Sequence, residues 1–153
     1  VAFLNDMTVW KGDVLVSDSG TATIHKVTPE GASVFAASGD WEGINGILGD
    51  GDRLLITAMT RGQLFAYRGP DEVSLIATGM KDADGVGLIP GGGFLVSSWP
   101  GEIYHVRDDA SVTLLVDTKA QGILQNDLSV FADVVIVPNW EPGTVTAWKI
   151  TPP

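Results

Sequence analysis

The chain has 153 residues, 44% of them hydrophobic, enough for one domain with an ordinary core. Nine Lys and Arg stand against 19 Asp and Glu, a net charge of −10 whose field repels nucleic acid and anionic lipid and excludes a nucleic-acid-binding role. There is no Cys, which excludes disulfides, a thiolate nucleophile and thiolate metal sites and leaves the compartment open.

No apolar run approaches the roughly 20 residues of a membrane helix, so no membrane partner is expected. The start, Val1-Ala2-Phe3-Leu4, lacks the charged and apolar regions of a signal peptide, and it already lies inside an apolar run; residues ahead of it are expected to be missing. The 19 Gly and 8 Pro separate short apolar runs, the punctuation of many brief strands, and this predicts an all-β class.

Taken in chain order, the strands repeat. The first unit, residues 4–42, opens on Asn5-Asp6-Met7, turns at Lys11-Gly12-Asp13, and continues through Val14-Leu15-Val16, a third strand over 24–27 and a fourth over 32–36. The second, residues 43–82, opens on Asn45-Gly46-Ile47, turns at Asp50-Gly51-Asp52, and has later strands at Leu54-Leu55-Ile56, 64–67 and 73–77. The third, residues 83–122, opens on Asp84-Gly85-Val86, turns at Gly91-Gly92-Gly93, and runs through Phe94-Leu95-Val96, 103–106 and 112–116. The fourth, residues 123–153, opens on Asn126-Asp127-Leu128, turns at Ala132-Asp133, and offers strands over 134–137 and 145–148 with no fourth strand before Pro152-Pro153.

The openings are 40, 39 and 42 residues apart. Four-stranded meanders of this period, each burying its faces against its neighbours, are the blades of a propeller. The expected fold is therefore a single array, a β-propeller or partial propeller of about four four-stranded antiparallel blades. An arc that does not close exposes strand edges and blade faces. A homo-oligomer, or a partner chain that completes the propeller, is expected.

In such an array the first strands line a central channel. Asn5, Asn45, Asp84 and Asn126 then ring one mouth, beside Asp18, Met59, Ser98-Trp99 and Asn139-Trp140 at the ends of the second strands. Oxygen donors without imidazole or thiolate suit a hard cation, and polar groups beside indoles suit a sugar-like or lactone ligand. The same Asn and Asp also serve as caps of the strand start, and spacing alone does not choose between the roles. His25 and His105 occupy unmatched positions on third strands. Ser17, Ser97 and Ser98 have no His in the repeat frame, so all five read as structural.

The run Asn5-Asp6-Met7-Thr8-Val9, with Asn45-Gly46-Ile47 and Asp84-Gly85-Val86, resembles the C-terminal blades of the gluconolactonase, senescence marker protein and luciferin-regenerating enzyme family. The resemblance implies a portion of a six-bladed propeller with a divalent metal, Ca²⁺ or alternatively Mg²⁺, Mn²⁺ or Zn²⁺, and hydrolysis of a lactone or related ester. It places Asn45 and Asp84 on the metal and makes Asp84 the general base as well. It also puts Asn5 on the substrate or the metal's water shell; Asn126, Trp99 and Trp140, set at the same mouth by the repeat, are the further candidate substrate-binding residues. The family's first-blade Glu has no counterpart, and Glu42 in Trp41-Glu42-Gly43 is the candidate substitute. The alternative is a catalytically silent binding or assembly module with an incomplete metal site.

Overall fold

The computed structural model describes residues 2–151. Four antiparallel sheets of four strands each lie around one channel, in the blade order of the sequence. The first blade is β1 (Leu4–Trp10), β2 (Asp13–Asp18), β3 (Thr23–Thr28) and β4 (Gly31–Ala37). The second is β5 (Ile44–Asp50), β6 (Arg53–Ala58), β7 (Gln63–Gly69) and β8 (Glu72–Thr78), and the third β9 (Ala83–Leu88), β10 (Phe94–Ser98), β11 (Glu102–Val106) and β12 (Val112–Asp117). In the fourth the inner strand is split into β13 (Leu124–Gln125) and β14 (Ser129–Phe131), followed by β15 (Val134–Glu141) and β16 (Thr144–Lys149). No outer strand follows β16 among the described residues, as the sequence implies.

Turn chemistry closes the hairpins. Lys11 and Gly12 both adopt positive φ, 50° and 86°, the twist-matched geometry of a two-residue hairpin. Each inner strand then carries an irregularity where the repeat opens. Asn5-Asp6 face Ser17 alone, Asn45-Gly46 face Thr57, and Asp84-Gly85 face Ser97, so two residues oppose one in each of the first three blades.

Three hydrophobic clusters join consecutive blades. Trp10, Leu15 and Ile24 of the first pack on Ile47, Leu54 and Ile56 of the second. Leu55 and Leu64 meet Val86, Phe94 and Val96 of the third, and Leu95 and Ile103 meet Leu128, Val135 and Val137 of the fourth. Among the described residues no such cluster joins the fourth blade to the first, and the outward faces of both are apolar and exposed, with Met7, Val9, Phe131 and Val145 among the uncovered side chains.

Candidate active site at the channel

A bulge takes two residues out of the sheet ladder, and their backbone groups need other partners. Side-chain hydroxyls supply them. The Asp6 N–H donates to Ser17 Oγ at 2.9 Å, the Gly46 N–H to Thr57 Oγ1 at 2.8 Å and the Gly85 N–H to Ser97 Oγ at 2.8 Å. The hydroxyls donate onward to the next blade: Ser17 Oγ to the Asn45 carbonyl at 2.7 Å, and Thr57 Oγ1 to the Asp84 carbonyl. Pro138 pairs with Val145 just as Ser17 pairs with Ile24 and Thr57 with Leu64, so the fourth blade has no hydroxyl at this position. Asn126 N–H bonds the Pro138 carbonyl directly, at 3.1 Å.

The residue after each bulge opening is Asp6 and Asp127 in the end blades and Gly46 and Gly85 in the middle two, and each Asp reaches a neighbouring blade. Asp6 Oδ2 crosses to the second blade and accepts the Ile47 N–H at 2.7 Å, while Oδ1 accepts the Met7 N–H at 2.7 Å. Asp127 Oδ1 accepts the Leu128 N–H at 2.6 Å and lies against the bare face of Gly85, where a Cβ would overlap it. The first strands of all four blades line a half-open cavity of about 230 Å³, with Asp6 and Asp127 beside Met7, Val86, Leu88 and Val130 in its wall.

Asp84 is 4% exposed. Among the described residues neither its carboxylate nor Asn45 Oδ1 has a hydrogen-bond partner; Asn45 Nδ2 is directed at Met59 Sδ, 3.8 Å away. Burial, then the charges of Asp127 and Asp6, push the Asp84 carboxyl up to about 7. Burial and the Asp6 charge raise Asp127 to about 6 against the Leu128 N–H, and burial raises Asp6 against the Ile47 and Met7 N–H groups. Three carboxyls on three different blades thus share one poorly solvated region.

The remaining candidates separate. Asn5 is exposed and donates to Ser19 Oγ at 3.2 Å, and Asn126 is half-buried. Trp99 and Trp140 meet edge to face, ring centres 6.3 Å apart at 90°, forming an aromatic step from the third blade to the fourth. Asp18 is structural: the Phe3 N–H, with Thr21 and the Gly20 N–H, holds its carboxyl down to about 2 despite burial. Glu42 is exposed, 3.9 Å from Arg61 Nε, and does not replace the absent Glu. Among the described residues no three of His, Asp and Glu converge as metal ligands. The lining of this cavity includes Asp6 and Asp127 but not Asn5, Asn45, Asp84 or Asn126.

Comparison with known proteins agrees with this architecture. A virginiamycin B lyase from Staphylococcus aureus superimposes with a TM-score of 0.66 at 11% identity over 98% of this chain and 56% of its own. The fold is that of a β-propeller. A gluconolactonase from Xanthomonas campestris matches with a TM-score of 0.65 at 16% identity, over 89% of this chain and 54% of its own. The computationally designed protein Ika4 matches at 0.66 and 14%, covering 97% of this chain and 92% of its own. The chain thus spans about half the length of the two natural enzymes and nearly the whole of the designed one. No family description and no curated protein matches the sequence.

Proposed function

We propose that the channel is the site of a lactonase-like hydrolase acting on a lactone or ester, with Asp84 as its proton-transferring group. The carrying observation is a buried carboxyl without a partner among the described residues whose ionisation falls near neutrality, where a general base works best. The likeness to a gluconolactonase, among other propeller enzymes, supports this class of reaction.

Asn45 Oδ1 and the two Asp84 carboxylate oxygens, without partners among the described residues, are donors a hard cation takes, and they would supply part of a Ca²⁺ shell, with water filling most of it. A cation held by Asn45 and Asp84 would supply polarisation of a carbonyl oxygen. The protein's own part is proton handling and positioning. Asp84 in its ionised form accepts a proton from water as the water oxygen attacks the carbonyl carbon, and returns it to the departing alkoxide oxygen. Asp6 and Asp127 hold the Asp84 proton more tightly by their negative charge. The Trp99 and Trp140 rings offer flat walls to a ring-shaped substrate, and Asn5 and Asn126 offer amides at its edge.

The test is hydrolysis of a lactone panel by the parent and Asp84→Asn, with and without Ca²⁺. Without added cation, activity should rise with pH through an apparent pKa near 7; a cation on Asp84 would lower that pKa, and with or without it activity should fall at least a hundredfold in the variant. Equal activity in the variant removes Asp84 from the chemistry. Loss of activity with an unchanged melting temperature and no thermal shift by Ca²⁺ in either protein leaves a base without a cation. The second reading, a silent binding module, is favoured by the lack of a three-ligand cluster among the described residues and predicts no turnover of any lactone by the parent.

A further inference from the structure

The register of the strands makes positions in different blades directly comparable, because Val9 pairs Val14 as Gly49 pairs Leu54, Leu88 pairs Phe94 and Val130 pairs Val135. Every junction uses the same two surfaces. The forward face of one blade presents Leu15 and Ile24, then Leu55 and Leu64, then Leu95 and Ile103, and all six are buried. The backward face of the next presents Ile47 and Leu54, then Val86 and Phe94, then Leu128 and Val135, also all buried.

The two ends carry the same residue types without the cover. On the forward face of the fourth blade the equivalent positions are Ile136 and Val145, 40% and 69% exposed. On the backward face of the first they are Met7 and Val14, 70% and 42% exposed. Each end thus retains its half of a junction, and each is the half that the other lacks. In a chain of net charge −10, all four positions are uncharged. That depletion is the mark of the centre of an interface rather than of a solvated face.

From this pairing we propose that a second copy of the chain covers both ends: the forward face of each fourth blade packs on the backward face of the other copy's first blade, closing a two-fold ring of eight blades. Head-to-tail contacts that close on themselves are finite, and eight blades lie within the roughly four to eight of known propellers. The junction between copies lacks one bond that joins the first blade to the second and the second to the third. Pro138 has no hydroxyl to donate to the first blade's Asn5 carbonyl, so this junction is the weaker. It should therefore separate on dilution while each arc stays folded.

Light scattering of the 153-residue chain across a dilution series, with circular dichroism in parallel, tests this. At tens of micromolar the mass should be twice 16.1 kDa, falling to that of one chain on dilution with no loss of strand signal. Met7→Asp and Val145→Asp lie at opposite ends and are both exposed, so each should fold and each should be monomeric at concentrations at least tenfold higher than the parent. Mixed together they should form a one-to-one heterodimer, because one junction then has two native faces. Should either fail to fold, Met7→Ser and Val145→Ser give the same reading. A parent that is monomeric throughout, a mass that grows without limit, or association that only one of the two substitutions disrupts would each overturn the closed ring.

Discussion

The middle of the array and its ends are built from the same repeat and solve different problems. In the second and third blades the residue after the bulge opening is Gly, the bulge carbonyl receives the hydroxyl of the blade before it, and both apolar faces are covered. In the first and fourth that residue is Asp, one apolar face is bare, and the fourth has Pro138 in place of the hydroxyl. The comparison separates what a blade needs to fold from what it needs to be joined. Gly and the hydroxyl serve the join, while the alternating apolar strands are kept even where nothing in the chain covers them.

The sharpest way to break that distinction is to give a middle blade a side chain where only an end blade has one. In Gly85→Val the new Cβ would lie 2.8 Å from the Leu128 nitrogen and inside the Asp127 carboxylate. The expected cost is about 3 kcal/mol or more, from overpacking against a backbone that has no room to yield, read as lost folded signal in urea. A Cβ on Gly51, by contrast, meets nothing within 4 Å, though its φ of +56° disfavours any side chain. Gly51→Asn, which tolerates that conformation, should stay within about 1 kcal/mol of the parent.

Next in size is a pH effect confined to the channel. Asp84 and Asp127 titrate higher in the folded chain than the ordinary value of 3.8. The folded state therefore holds protons that the unfolded state releases, and stability present below about pH 4 is lost as pH rises toward 7. Between pH 5 and pH 8 urea denaturation should show a loss of about 2–3 kcal/mol attributable to Asp84. Asp84→Asn should flatten that slope and be more stable than the parent at pH 8. A slope equally steep in the variant would place the proton uptake elsewhere.

The smallest effect separates the hydroxyl from its methyl. Thr57→Val keeps the shape but leaves the Gly46 N–H and the Asp84 carbonyl unpaired in a buried setting, a loss of about 2 kcal/mol. The reverse exchange at the end of the array, Pro138→Ser, has no neighbouring carbonyl to reach within the chain and should change monomer stability by no more than about 0.5 kcal/mol.

The blades were readable from the sequence because strand alternation and turn residues are local signals. Lys11-Gly12 and the apolar runs after each turn need no tertiary information. The joins were less readable. Ser17, Thr57 and Ser97 are 40 residues apart at one position of the repeat, a signal open to inspection. Their role becomes visible only with the bulges, which depend on strand register rather than composition. Asp6 and Asp127 were equally visible as residue types, yet that they reach the cavity wall follows from how a carboxylate sits on the Gly or N–H of the adjacent blade. Glu42 illustrates the converse, since its nearness to Asn45 in sequence says nothing of which way a loop side chain turns, and it turns to Arg61.

The direction of the hydroxyl relay has a consequence for how such arrays change length. Ser17 and Thr57 always donate forward, from one blade to the carbonyl of its successor, so a blade inserted by duplication brings both halves of its junctions and needs no adjustment by its neighbours. A repeat with this polarity is modular in one sense of travel only. An inverted blade would set donor against donor. Copy number can therefore change by whole units of about forty residues wherever a seam carries that hydroxyl.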